Sequence, residues 1–414
     1  MNIYLIIILA IIIGNYILDL IIETLNLRAV KKELPKEFVG FYDANKYEKS
    51  QEYLKDNTKF KLVQGLFSVG VILFLILSGS FNFIDQIARS FNLNVIFTGL
   101  VFTGILFFFF QIIEIPFSIY HTFVIEEKYG FNRTKPKTFI LDLLKGWLLS
   151  IIIGGLILSL VLWFFIASGK LAWIFCWIGV SIFELFLIFI APIVIMPLFN
   201  KFIPLEDGEL KQSIETYAKS QNFKLKGLFK MDGSRRSSKS NAFFTGFDKY
   251  RRIVLFDTLI KNHSIEELVS VLAHEMGHYK MKHILKTIVI SILANGLMFF
   301  ILSLFINNQG LFNAFGMDNF SIYASLLFFT FLYTPINIIL SLVGSVLSRK
   351  HEYEADSYAI TTYKKPEAFI LALKKLSVDN LSNLTPHPLK VFMAYSHPPV
   401  LERIKAIESI SDNR

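Results

Sequence analysis

Seven stretches of this chain are long and apolar enough to cross a lipid bilayer. They run from Ile3 to Ile22, Leu62 to Phe83, Asn94 to Phe123, Gly146 to Ser168, Leu171 to Ile195, Thr287 to Ile306 and Phe320 to Val346. A bilayer core is crossed by about 20 helical residues. Backbone inside it must satisfy its own hydrogen bonds, so continuous apolar runs cross as helices. Composition agrees, with 53% hydrophobic and only 18% charged residues, against about 25% charged in a soluble domain. A mean hydropathy of +0.51 excludes a disordered or collagen-like chain. Ile3 to Ile22 has no basic segment before it and no small-residue cleavage site after it, so a retained helix is expected rather than a signal peptide. Only Gly169-Lys170 separates the fourth and fifth runs, which predicts an antiparallel hairpin.

The basic residues test the count of seven. Between the first two runs stand Arg28, Lys31, Lys32, Lys36, Lys46, Lys49, Lys55, Lys59 and Lys61, whereas the next connection has Arg89 alone. The third has Lys128, Arg133, Lys135, Lys137 and Lys145; the fourth has Lys170; the tail opens with Arg349 and Lys350. Rich and poor loops alternate, and the positive-inside rule places the first, third and fifth loops and the tail in the cytoplasm. The net charge of +9 is thereby a matter of topology. No nucleic-acid-binding signature accompanies it, so no nucleic-acid partner is expected. The single cysteine, Cys176, excludes a disulfide framework and a cysteine zinc finger.

These signals divide the chain into four parts. Residues 1–199 hold five spans and their loops, 200–283 a cytoplasmic region, 284–348 spans six and seven, and 349–414 a cytoplasmic tail. The two polar parts are each small for an independent domain and lie on one side, so they are expected to pack together. The expected fold is an all-α multi-span membrane protein with a small mixed α/β region outside the bilayer. Arg235-Arg236-Ser237-Ser238-Lys239 reads as a mobile basic loop.

The chemistry centres on His274-Glu275-Met276-Gly277-His278. Helical spacing puts His274 and His278 one turn apart on one face, where two imidazoles can ligate one Zn²⁺. Glu275 lies about 100° round the helix, within reach of an activated water. Ser264 followed by Glu267 reads as a capping box that starts this helix. With 8 histidines in 414 residues, the motif arises by chance in roughly one such chain in a hundred. A catalytic zinc also needs a third protein ligand and an open position. His351-Glu352-Tyr353-Glu354-Ala355-Asp356 follows the seventh run directly, and Glu352 and Asp356 share a helix face. One carboxylate can bind metal while the other holds a ligand histidine or a transition-state proton.

Seven separated blocks in this order resemble the type I CAAX prenyl endopeptidases, integral membrane zinc metalloproteases. The blocks are Tyr47 to Tyr53, Glu126 to Asn132, Pro197 to Asn200, Ser240 to Gly246, the HEMGH motif, Glu352 to Asp356, and Ser396 to Pro399 with Leu401 to Arg403. The resemblance implies seven helices around a water-filled intramembrane chamber. It assigns one zinc per chain to His274, His278 and Glu352, and the general base to Glu275. It makes Asp356 a proton donor or supporting acid, and brings His397 and Arg403 near the metal. It places an extended peptide along Asn241, Ala242 and Phe243. That strand, followed by Asp248-Lys249-Tyr250 and Arg251 to Phe256, reads as a β-hairpin, and an exposed edge strand can hold a peptide by main-chain hydrogen bonds.

The expected function is cleavage of the C-terminal tripeptide from prenylated CAAX-type proteins or peptides. The alternatives are a membrane-protein quality-control protease with unprenylated substrates, and a zinc-regulated transporter. The transporter would account for Gln111, Glu114 and Glu184 inside the spans, but it has no use for Glu275. In the protease these groups line the chamber or pair with a neighbour such as Lys145. The Ile-, Lys- and Asn-rich composition resembles that of an AT-rich genome and predicts a bacterial inner membrane in preference to the endoplasmic reticulum. The partners expected are the bilayer and a protein or peptide substrate. Oligomeric state is open.

Overall fold

The structure is a computed structural model and describes residues 2–225, 227–245 and 252–412. Seven helices are long and apolar enough to cross a membrane: Ile3–Arg28, Ala44–Leu77, Val95–Glu126, Pro136–Ala167, Gly169–Phe199, His283–Phe305 and Ile322–Tyr363. Two of them run well past their apolar stretches. The second starts at Ala44, and the seventh continues to Tyr363. A helix can leave the bilayer without breaking when its polar residues meet water, so hydropathy finds the span and misses the extension. The third and fifth spans end in π-helical turns, at His121–Glu126 and Ala191–Ile195, each within a few residues of a proline.

The spans bury little against one another. Between 6% and 22% of each apolar window is buried inside the protein, less than the face a solid bundle would cover. The helices form a shell around an internal chamber. Where spans do touch, the contact is close. A Cβ on Gly296 of the sixth span would lie 2.8 Å from the Trp177 ring of the fifth, and the Trp177 indole donates to the Ile292 carbonyl at 2.7 Å.

Glu114, Glu184 and Gln111 within the spans each have a partner, and Lys145 is not among them. Glu114 accepts from Gln64 at 2.7 Å. Glu184 accepts from Ser291 at 2.6 Å and Asn295 at 2.8 Å. Gln111 accepts from the Trp147 indole at 3.0 Å. Lys145 instead donates to the Leu198 carbonyl.

The odd-numbered loops and the tail gather at one end. Phe38, Tyr42 and Tyr47 from the first loop pack with Tyr129 and Phe131 from the third and with Val378, Leu381, Leu384 and Ile404 from the tail. A second core joins the fifth loop to the tail through Ile214, Ile253, Leu268, Leu272, Phe369 and Ile407. The even loops meet at the other end, where Asn82 bonds Asp318 at 2.7 Å. This separation is what the alternating charges require.

Within the fifth loop lies a four-stranded sheet of order β1-β2-β4-β3, with β1 at Phe202–Pro204, β2 at Gly227–Met231, β3 at Ala242–Thr245 and β4 at Arg252–Phe256. β3 pairs antiparallel with β4, placing Ala242 opposite Leu255. The turn at Asp248-Lys249-Tyr250, with Gly246 and Arg251, lies outside the described residues. β4 also runs parallel to β2, a non-local pairing that no local sequence signal announces.

The basic run before β3 is tied down, contrary to expectation. Arg236 forks onto Asp142 at 2.7 and 2.9 Å and bonds Asn200 at 2.9 Å. Lys239 reaches Glu126 at 2.8 Å and the Tyr53 hydroxyl at 2.9 Å. These cations stitch the sheet region to the ends of spans two, three and four. Their carboxylate and phenol partners are remote in sequence, so a local reading sees only unpaired charge.

Candidate active site

The helix Ile265–Lys280 begins with the capping box its sequence predicts: Glu267 N–H donates to the Ser264 hydroxyl at 3.3 Å, and Ser264 N–H to the Glu267 carboxylate at 3.2 Å. Lys375 then grips both Glu267 oxygens at 2.7 and 2.9 Å. The helix is an internal element. Every residue from Glu267 to His274 is buried, as are Met276 and Gly277. It lies against the C-terminal end of the seventh-span helix at very close range. A Cβ on Gly277 would sit 3.0 Å from the Ala355 Cα. Two small residues thus allow the backbones to approach, and this approach brings the two motifs together.

At that crossing, ligating atoms of His274, His278 and Glu352 all lie within 4.8 Å of one another. The two Nε2 atoms are 3.1 Å apart. Glu352 Oε1 is 3.2 Å from His278 Nε2, and Oε2 is 3.5 Å from His274 Nε2. His274 Nδ1 faces Asp356 Oδ1 at 2.7 Å. Arg403 forks onto Asp356, with Nη2 to Oδ1 at 2.6 Å and Nε to Oδ2 at 2.8 Å, and places Nη1 3.4 Å from Glu352 Oε2. His397 brings Nε2 to 3.4 Å from Glu352 Oε1, yet its side chain is 64% exposed. Glu275 is partly buried and makes no hydrogen bond to the described residues. Burial pushes its carboxyl up, against the pull of His274 and His278.

The residues fit a divalent metal ion. Glu352 Oε2 is buried with no hydrogen-bond partner, an arrangement that ordinarily costs about 1–3 kcal/mol or more. Three carboxylates, on Glu275, Glu352 and Asp356, face a single guanidinium. Burial disfavours a charged His274, but hydrogen bonds with Asp356 and Glu352 prevail and its pKa is pushed up to about 9. A buried site this short of positive charge, with two imidazole nitrogens and a carboxylate oxygen converging, has the donor set of a metal centre. Asp356 is committed on both oxygens and only 1% exposed, so it supports His274 and Arg403 and has no oxygen left for a substrate.

β3 is one of the two edge strands of the sheet and packs against the motif helix. Asn241 is exposed and Ala242 and Phe243 are half-buried. The sequence reading missed four neighbours of the site: Gly277, Ala355, His283 and Glu354. The small size of the first two was visible, but its use depends on a contact between segments about eighty residues apart.

Comparison with known proteins yields a consistent set. Residues 23–201 match the family described as CAAX prenyl protease N-terminal, five membrane helices, and residues 204–411 match peptidase family M48. A CAAX prenyl protease 1 homolog of Oryza sativa subsp. japonica is 37% identical, over 96% of both chains. CAAX prenyl protease 1 of Saccharomyces cerevisiae is 34% identical, over 92% of this chain and 90% of its own. The crystal structure of S. mikatae Ste24p superposes with a TM-score of 0.93 at 33% identity, covering 98% of this chain and 99% of that one. These relatives are eukaryotic. That overturns the expectation of a bacterial inner membrane and points to the membrane of the endoplasmic reticulum; a residue composition reports base composition, which bacteria and eukaryotes share.

Proposed function

The chain belongs to the CAAX prenyl proteases of peptidase family M48, and from that premise we propose how its residues divide the work. The protein is a zinc-dependent membrane endopeptidase acting on prenylated CAAX-type proteins. His274, His278 and Glu352 would hold one Zn²⁺. When bound, zinc acidifies a water and polarises the scissile carbonyl. Glu275 accepts the proton of the attacking water and passes it to the leaving amine. Among the described residues no hydrogen bond competes for it, which suits this task. His397 is exposed, and its Nε2 stands 3.4 Å from Glu352 Oε1, a carboxylate the metal would take up, which suits donation to the developing oxyanion. Arg403 and Asp356 are locked to each other and fix His274.

The observation that carries this reading is the convergence of both histidine Nε2 atoms and Glu352 Oε1 beside Glu275, which makes no hydrogen bond to the described residues. A zinc-regulated transporter needs no such base. The edge of β3, with Asn241, Ala242 and Phe243, would pair with the extended C-terminal peptide, while the chamber and bilayer take its lipid. The four-part division of the chain fits this use, with the two polar parts forming one catalytic unit on the cytoplasmic side.

The test is mass-spectrometric mapping of products from matched farnesylated and unmodified CAAX peptides. Release of an intact tripeptide from the farnesylated peptide alone is expected. Equal cleavage of both would reassign the enzyme to unprenylated substrates.

A further inference from the structure

Outside the ligand set, one cluster of titratable side chains stands out. Lys282 adopts a left-handed conformation (φ 58°) that ends the motif helix and starts the sixth span at His283. The turn places the His283 imidazole, 3% exposed, directly behind His278. The two Nδ1 atoms are 3.0 Å apart. The other nitrogen of His283, Nε2, is 2.9 Å from Glu354 Oε2. His351 stacks on the far face of the ring, 4.0 Å away with planes 11° apart.

We propose that His283 and Glu354 are positioning residues that fix the tautomer of His278, so that its Nε2 is bare toward the metal. A neutral imidazole carries one N–H and one lone pair. The Glu354 carboxylate can only accept, so the N–H of His283 sits on Nε2 and its Nδ1 is an acceptor. Two nitrogens at 3.0 Å need one hydrogen between them, so His278 carries its N–H on Nδ1. Its Nε2 then presents a lone pair. With Glu354 removed, the opposite order becomes available: His283 donates from Nδ1, and His278 carries its N–H on Nε2, where it blocks coordination. His274 obtains the same result directly, from Asp356. A ligand histidine held by an outer carboxylate is a general device of metal sites. Here an intervening histidine relays it.

His283, His351 and Glu354 also have ligating atoms within 4.8 Å of one another, which invites a second metal. The stacked rings oppose it. Imidazole lone pairs lie in the ring plane, and two parallel planes cannot aim theirs at one ion. Both His283 nitrogens are also occupied.

The inference rests on His278 being a metal ligand, and the experiment separates the two. Zinc content and zinc affinity, by competition with a chromophoric chelator, are measured on the full-length protein for wild type, His278→Ala, His283→Phe, His283→Asn, Glu354→Ala and the double variant His283→Phe/Glu354→Ala. One zinc per wild-type chain, lost in His278→Ala, supports the ligand set whatever the others do. The relay predicts a 10–100-fold weaker affinity for His283→Phe and for Glu354→Ala, with the double variant no worse than His283→Phe. His283→Asn, whose side-chain oxygen can accept from His278 Nδ1, recovers most of the loss. Affinities within twofold of wild type in His283→Phe and Glu354→Ala, additive losses in the double variant, or two zinc ions per wild-type chain would overturn it. Should His283→Phe fail to fold, Glu354→Ala and His283→Asn decide alone.

Discussion

His397 and Arg403 both come from the tail and both approach Glu352, yet their surroundings give them different work. Arg403 is enclosed, with its side chain 11% exposed, and is spent on Asp356 and Glu352. Arg403→Ala strands two buried carboxylates, and removing one partner of a buried ion pair costs about 3–5 kcal/mol. A fall of that size in chemical-denaturation stability is expected, and a change under 1 kcal/mol would show the pair to be solvated. His397→Ala removes an exposed imidazole whose Nε2 is 3.4 Å from Glu352 Oε1. It should lower kcat about 10²–10³-fold with zinc content unchanged; loss of zinc in this variant would move His397 into the ligand set. His263 offers a pH test away from the metal. It is buried, its Nε2 has no hydrogen-bond partner among the described residues, and burial holds its pKa below the ordinary 6.5. Below pH 6.5 the unfolded chain therefore binds a proton that the folded chain resists, and stability falls as pH falls. His263→Asn, which does not titrate, should show a shallower drop in thermal midpoint from pH 7 to 5.5, and an identical slope would contradict this. The candidate site residues are legible because their spacing is short: His274 and His278 are four positions apart, and so are Glu352 and Asp356. His283 and Glu354 were equally visible as letters. Their relation depends on a left-handed turn at Lys282 and on a second helix, and neither leaves a local signature.

The seventh-span helix is the element that joins the two halves of the site to the bilayer. It is one continuous helix from Ile322 to Tyr363, with Pro335 inside it, so the same helix that crosses the membrane also presents Glu352 and Asp356. Its meeting with the motif helix depends on Gly277 and Ala355. Gly277→Leu would force a side chain into backbone already 3.0 Å from the position of a Cβ. Overpacking of this kind costs about 1–3 kcal/mol, and here it also separates the ligands. Loss of bound zinc together with a lower thermal midpoint is expected; full zinc content would show that the crossing tolerates separation. Periodicity and hydropathy revealed the helices, since apolar length is a property of each segment alone. The continuation of the second and seventh helices beyond the lipid was hidden by their charged residues, which solvated helices tolerate. The parallel β2–β4 pair was hidden for a different reason: strands of three to five residues carry too little pattern, and their partners lie far off in sequence.

On the scale of the whole molecule, the alternating basic loops and the two packed ends describe one arrangement. Odd loops and tail build a catalytic unit that caps a loosely packed shell of helices. That position suits a substrate that is a soluble protein with a lipidated C-terminus. If this unit is a zinc peptidase, its base is Glu275. The most direct measurement is cleavage of a farnesylated CAAX peptide by the purified zinc-loaded protein, beside Glu275→Ala and a chelator-treated sample. Cleavage that falls about 10²–10⁴-fold in Glu275→Ala with zinc still bound, and that vanishes with chelator and returns with zinc, is the predicted result. Undiminished cleavage by Glu275→Ala would contradict the mechanism.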